Sequence, residues 1–121
     1  MHAEQRRGAV EFGAPDGGVV LLVGTDGPVA GGAFRRYDPV TAELKRIWTR
    51  SGHRRCGLAR HTVAALEQEI AARQYRRIHL TTGPRQPEAV GLYRVTGYAP
   101  QFDVSLPPER IGKHAFTKEL W

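Results

Sequence analysis

Five branched aliphatic residues follow one another at Val19-Val20-Leu21-Leu22-Val23, and the run from Gly18 to Val23 reads as a strand buried on both faces. Thr25-Asp26-Gly27-Pro28 supplies turn chemistry, and Val29 to Tyr37 reads as the returning strand, weakened or bulged at Gly31-Gly32. A second turn at Asp38-Pro39 leads into a third strand, Ala42 to Thr49. Three strands joined by short turns predict an antiparallel meander. After the loop Ser51 to Gly57 the period changes. Leu58, Thr62, Ala65, Leu66, Glu69 and Ile70 share one stripe of a helix over Leu58 to Arg73, interrupted only by Glu69. Arg77 to Thr82 alternates as a strand does and is broken by Gly83-Pro84. A second helix is predicted from Pro87 to Val95, with Pro87 in its first turn and Gly97 as its stop. Tyr98 to Val104 and His114 to Leu120 are weaker strand candidates around Pro107-Pro108. Met1 to Gly18 reads as a polar lead-in without periodicity. The order predicts one mixed α/β domain over residues 18–121, preceded by a lead-in over residues 1–17 that the sequence leaves free to flex.

Composition narrows this picture without changing it. The 121 residues leave room for one ordinary domain, and 40% hydrophobic with 25% charged residues is a globular balance. The longest uncharged apolar run, Gly17 to Thr25, falls far short of the ~20 residues a membrane span requires. No start resembling a signal peptide is legible, and Cys56 is the single cysteine. These features predict a reduced, cytoplasmic protein without an internal disulfide. His2, His53, His61, His79 and His114 show no metal-ligand spacing, so no metal is expected.

Charge brings in chemistry. Lys and Arg total 18 against 12 acidic residues, a net charge of +6, which suits a phosphorylated or polyanionic partner. The arginines cluster at Arg50 to Arg60, RSGHRRCGLAR, where a strand passes into the long helix. A helix start carries unpaired N–H groups and partial positive charge, and small residues ahead of it let those groups close around an anion. The Walker A string and the dinucleotide G-x-G-x-x-G are both missing. What stands there is R-x-x-G-x-A, at Arg54, Gly57 and Ala59. Close helix–sheet packing without a ligand is the other use of such small residues.

With these residues the chain resembles the GNAT superfamily of acetyl-coenzyme A-dependent N-acetyltransferases, whose pyrophosphate motif is Q/R-x-x-G-x-G/A. A second string of that family, A-x-x-L-Y-x-x-x-G-[FY], is filled by Ala89, Leu92, Tyr93, Gly97 and Tyr98. The two together cover roughly Val19 to Thr117. The resemblance implies a central mixed, mostly antiparallel sheet flanked by helices and an acetyl-CoA co-substrate. It implies diphosphate contacts from Arg54, Arg55, Cys56, Gly57, Leu58 and Ala59, with Arg60 meeting the 3′-phosphate. It places pantetheine along the third strand near Trp48 and Thr49, between two splayed parallel strands. It gives Tyr93 the proton for the departing thiolate, where the residue-level alternative is a core tyrosine. Glu43 stands eleven positions before Arg54, as the base of the histone-type branch stands before its motif, and a cross-strand partner for Lys45 or an arginine is its other reading. Cys56 is not read as a nucleophile, because the family transfers directly and no Cys-His-Asp arrangement is legible. Trp48 reads as a strand residue under the loop rather than a substrate platform.

One departure shapes the remaining expectations. The family places a strand and two helices before the strand at Val19, and residues 1–18 are too few for them. The domain is therefore expected to lack most of that region, with a second copy or a partner subunit covering the bare sheet edge. The implied function is direct acetyl transfer from acetyl-CoA to a primary amine of a small molecule or peptide. An acetyl-CoA-binding module without turnover is the alternative. A basic nucleic-acid-binding domain is a weaker one, since only 8% of residues are aromatic and no helix-turn-helix or zinc spacing occurs.

Overall fold

A computed structural model describes residues 4–8, 17–52, 57–83 and 87–120. Its strands are β1 (Glu4–Gly8), β2 (Gly18–Gly24), β3 (Gly27–Asp38), β4 (Thr41–Thr49), β5 (Arg77–Thr82), β6 (Ala99–Pro100) and β7 (His114–Glu119). Its helices are α1 (Leu58–Ala72), α2 (Pro87–Val95) and the short α3 (Pro108–Ile111). The strands form a single seven-stranded sheet in the order β1-β2-β3-β4-β5-β7-β6. Every neighbouring pair is antiparallel except β4 with β5. The fold is thus the mixed, mostly antiparallel α/β architecture the sequence implies.

Two regions differ from the sequence reading. Glu4–Gly8 forms a strand inside the polar lead-in, in antiparallel register with Val23 back to Val19. Its sequence, EQRRG, offers no apolar alternation, so the pairing depends on a tertiary neighbour that no local pattern announces. The β2 edge that reads as bare is therefore lined by the same chain. Past Tyr98 the strand ends after Ala99–Pro100, and Pro107 caps the short helix α3, with proline seated in its first turn.

The core lies between the sheet and the pair α1 and α2. Phe34, Leu44, Leu66, Ile70, Leu80 and Phe116 lie in one buried cluster, with Tyr93 and Tyr98 from the α2 side. Leu22, Val29, Ala30 and Leu58 make a second cluster that seats the first residue of α1 on the β2–β3 end of the sheet. Gly31 and Gly32 show the two faces directly. A Cβ on Gly32 would overlap Ile47 Cδ1 and stand 2.9 Å from Leu66 Cδ1, on the helix side. A Cβ on Gly31 would meet Leu21 Cδ2 at 2.8 Å and Trp48 Nε1 at 3.0 Å, on the opposite side.

A bulge in β4 redirects the second half of that strand. Arg46 has φ 55, and the β3–β4 register slips between Gly31 and Ala33 opposite it. A left-handed residue in a strand costs on the order of 1 kcal/mol and bends the strand. β4 pairs with β5 only at Thr41↔Arg77, Ala42↔Ile78 and Glu43↔His79. Beyond that point β5 goes on with β7 alone, and β4 from Leu44 to Thr49 goes on with β3 alone. The sheet opens between two parallel strands.

Candidate active site

The opening has a built entrance. Gly57 caps α1 at φ 74, no side chain bonds the cap, and no acidic residue stands in the first turn. Glycine is required by that conformation rather than by crowding, since a Cβ there would meet nothing within 4 Å. The close-packing reading of Gly57 is thereby set aside. His61 N–H is bonded to the Gly57 carbonyl at 3.1 Å, so the N–H groups of Leu58, Ala59 and Arg60 lie ahead of the first helical bond. Leu58 is buried and fixes the helix end, Ala59 is half-buried, and Arg60 is exposed. Arg54, Arg55 and Cys56 lie outside the described residues.

From that entrance the free side of β4 runs back toward the fork. Thr49 pairs with Ala30 and Trp48 with Gly31, so both spend their pairing on β3 and leave the β5 side unused. Trp48 is 39% exposed on the face away from the helices. An unpaired strand edge of this kind accepts a ligand carrying amides of its own. On the β5 side, Thr82 and His114 stand opposite each other in register. The Thr82 hydroxyl and His114 Nδ1 are buried and lack a hydrogen-bond partner among the described residues. His114 packs edge-on against Phe102 at 4.6 Å. The cap offers N–H groups to an anionic head, and the free edge of β4 offers backbone to an amide-bearing arm.

Tyr93 lies on the helix side of the sheet, in the core cluster. It is 4% exposed, with its ring 5.4 Å from Tyr98 and 5.8 Å from Phe116. Phe116 is the register partner of Leu80, one residue past the fork. Desolvation by burial pushes the Tyr93 phenol up to about 12, so it holds its proton through the neutral range. Tyr98 is raised further by burial and by the Glu67 carboxylate, to which its hydroxyl donates at 2.8 Å. Lys118 Nζ donates to both oxygens of that carboxylate at 3.1 Å and to the Thr96 carbonyl at 2.9 Å. This network fixes the turn at Gly97, and with it the C-terminal end of α2 that bears Tyr93.

Glu43 lies at the fork on the other face and is buried. Arg35 Nε donates to its Oε1 at 3.2 Å across the β3–β4 register, and Lys45 Nζ is 3.6 Å from the same oxygen. Of its two readings, the cross-strand partnership is the one this geometry displays. Two neighbours carried no signal in the sequence. His79 Nε2 is 3.9 Å from Glu43 Oε2, and the His79 ring stacks on Tyr37 at 4.5 Å. Only the parallel register brings residues 43 and 79 together.

The sequence profile described as the acetyltransferase (GNAT) family matches residues 2–98, and the chain belongs to that family. No match is found among curated proteins. A Klebsiella pneumoniae structure described as an acyl-CoA N-acyltransferase is 24% identical, with a TM-score of 0.78 over 92% of this chain and 77% of its own. A GNAT family acetyltransferase from Elizabethkingia anophelis, solved with acetyl-CoA bound, is 12% identical, with a TM-score of 0.76 over 98% of this chain and 99% of its own. The Thermoplasma acidophilum PaiA N-acetyltransferase in complex with coenzyme A is 10% identical, with a TM-score of 0.72 over 86% of this chain and 61% of its own. At these identities the likeness is one of fold. Among the described residues no helix is long and apolar enough to cross a membrane.

Proposed function

We propose that this chain is an N-acetyltransferase that moves the acetyl group of acetyl-CoA directly to a primary amine. The observation that carries the reading is the interrupted β4–β5 pairing beside the glycine cap of α1. Helix-start N–H groups of Leu58, Ala59 and Arg60, with Arg54, Arg55, Cys56 and Gly57 ahead of them, hold the diphosphate. The free edge of β4, ending at Trp48 and Thr49, takes the amides of the arm. The co-substrate supplies an acyl carbon already activated as a thioester. Tyr93 holds a proton in an apolar pocket at the opening and gives it to the leaving sulfur. Burial keeps this phenol protonated through the neutral range and so available as a donor, and the transfer to sulfur is carried forward by the C–S cleavage it accompanies.

A thermal shift tests this directly. A ligand selective for the native state adds about 2.7 kcal/mol at a hundred times its Kd, a rise of several degrees for a domain this size. Acetyl-CoA at saturation should raise Tm by that amount, and free thiol should appear when amines are added. An unchanged Tm at saturating acetyl-CoA would overturn the reading.

A further inference from the structure

The described helices α1 and α2 pack on one face of the sheet, so the fork between β4 and β5 has two unlike sides. On the helix side stands Tyr93, over Phe116 and its register partner Leu80. On the other side stand Glu43 and His79, at the last position where the two strands still pair. Leu44 to Thr49 spans roughly 16–20 Å of extended chain at ~3.3 Å per residue. A donor whose diphosphate sits at Gly57 to Arg60, and whose arm runs down that edge, brings its acyl end to the fork.

The His79 ring is held there and left with work to do. Tyr37 stacks on it at an interplanar angle of 27°, and Nε2 faces Glu43 Oε2 at 3.9 Å. Nδ1 has no hydrogen-bond partner among the described residues, and the side chain is 17% exposed. The charged groups around it are Glu43 from β4, with Arg35 and Lys45 behind that carboxylate. The Arg77–Glu119 pair stands two positions away along β5 and β7, closed at 2.6 Å. A proton placed on Glu43 would forfeit its ion pairs with Arg35 and Lys45. A proton placed on His79 Nδ1 breaks no bond, and it turns the 3.9 Å contact with Glu43 into a charge pair.

We infer that His79 is the proton acceptor for the attacking amine, which enters from the helix-free face, and that Glu43 is the positioning residue for its imidazole. This rests on the acetyltransferase reading of the chain. An alkylammonium group ordinarily keeps its proton to pH ~10.4, whereas imidazole is the side-chain type that exchanges one near neutrality. His79 takes the first proton of the ammonium, and the freed nitrogen lone pair forms the N–C bond. As the C–S bond breaks, its electron pair leaves with sulfur, which takes the Tyr93 proton. The second nitrogen proton restores that phenol, and His79 releases its own to solvent. One net proton is released per turnover.

Nuclear magnetic resonance of the full chain with labelled histidine rings separates this inference from the reading beneath it. The probes are acetyl-CoA and coenzyme A, and H79Q assigns the His79 signals. Amides of Gly57 to Arg60 should move alike with both probes, and the His79 ring should move by different amounts, because only one probe carries the acetyl group. Silent amides would overturn the donor reading and this inference with it. Responding amides with an unmoved His79 would overturn the inference alone. In thiol release against an amine panel, H79Q should lose about 100-fold in kcat near neutral pH with KM for acetyl-CoA held within about twofold. That deficit should narrow as the pH approaches the amine's own titration, and E43Q should show a smaller loss with a displaced pH profile. A deficit equal at every pH would mark His79 as merely structural and overturn the proposal.

Discussion

Tyr93 combines two properties that usually exclude each other: it belongs to the core, and its hydroxyl has no hydrogen-bond partner among the described residues. Tyr93→Phe therefore removes a hydroxyl whose loss leaves no described partner unsatisfied. The variant should fold with a Tm within about a degree or two of the parent. Its kcat should fall by about 100-fold or more with the acetyl-CoA thermal shift intact, since only the proton for sulfur is lost. The same phenol has a second signature. Its folded value is raised from 10.0 to about 12, so the unfolded chain gives up this proton first as pH climbs. Stability is then complete below pH ~10 and lost between ~10 and ~12, by at most about 3 kcal/mol. Denaturant titrations from pH 9 to 11.5 should show Tyr93→Phe losing less stability than the parent, with Tyr98 accounting for part of what remains. Equal alkaline slopes in the two proteins would contradict this account of the pocket.

At the scale of elements, the seating of α1 decides where its glycine cap points. Gly32 lets the helix approach, because a side chain there would press on Ile47 and Leu66. Gly32→Val should cost about 1–3 kcal/mol, read as a lower Tm, and should weaken the acetyl-CoA shift as the helix start is displaced. A variant that melts with the parent would deny that contact its role. This scale is also where the sequence was most and least legible. β2, β3, β4 and α1 carry strong periodicities, and the turns between them carry their own chemistry, so their order follows from pattern alone. Val63, buried beside the stripe of α1, widens the face that a single 3.6-residue row suggests. β1 was not legible because an edge strand without apolar residues is chosen by its neighbour. α3 was hidden because Pro107-Pro108 reads as a break, although proline also starts helices. Gly57 and Tyr93 could be singled out because each belongs to a contiguous string. Glu43 and His79 become neighbours only through a three-residue parallel register, which no string contains.

At the scale of the whole molecule, the basic excess and the opening bear on one another. The chain carries a net charge of +6, and the end of the sheet where β4 passes into α1 is bounded by Arg50 and Arg60, with Arg54 and Arg55 between them in sequence. A field of one sign around an open cleft raises the local concentration of a polyanion, and salt screens that field over about 10 Å at 0.1 M. The acyl end behaves differently. Tyr93 is buried among aromatic rings and the Glu43 carboxylate is buried at the fork, so salt reaches both less than it reaches the exposed helix start. Salt should therefore act on capture of the donor and not on the chemical step. Between about 50 mM and about 500 mM sodium chloride, KM for acetyl-CoA should rise several-fold while kcat stays within about twofold. Arg60→Gln should raise KM at low salt and flatten its salt dependence, because part of the screened attraction is then already gone. A kcat that falls with salt while KM holds would place the electrostatics at the fork and not at the helix start.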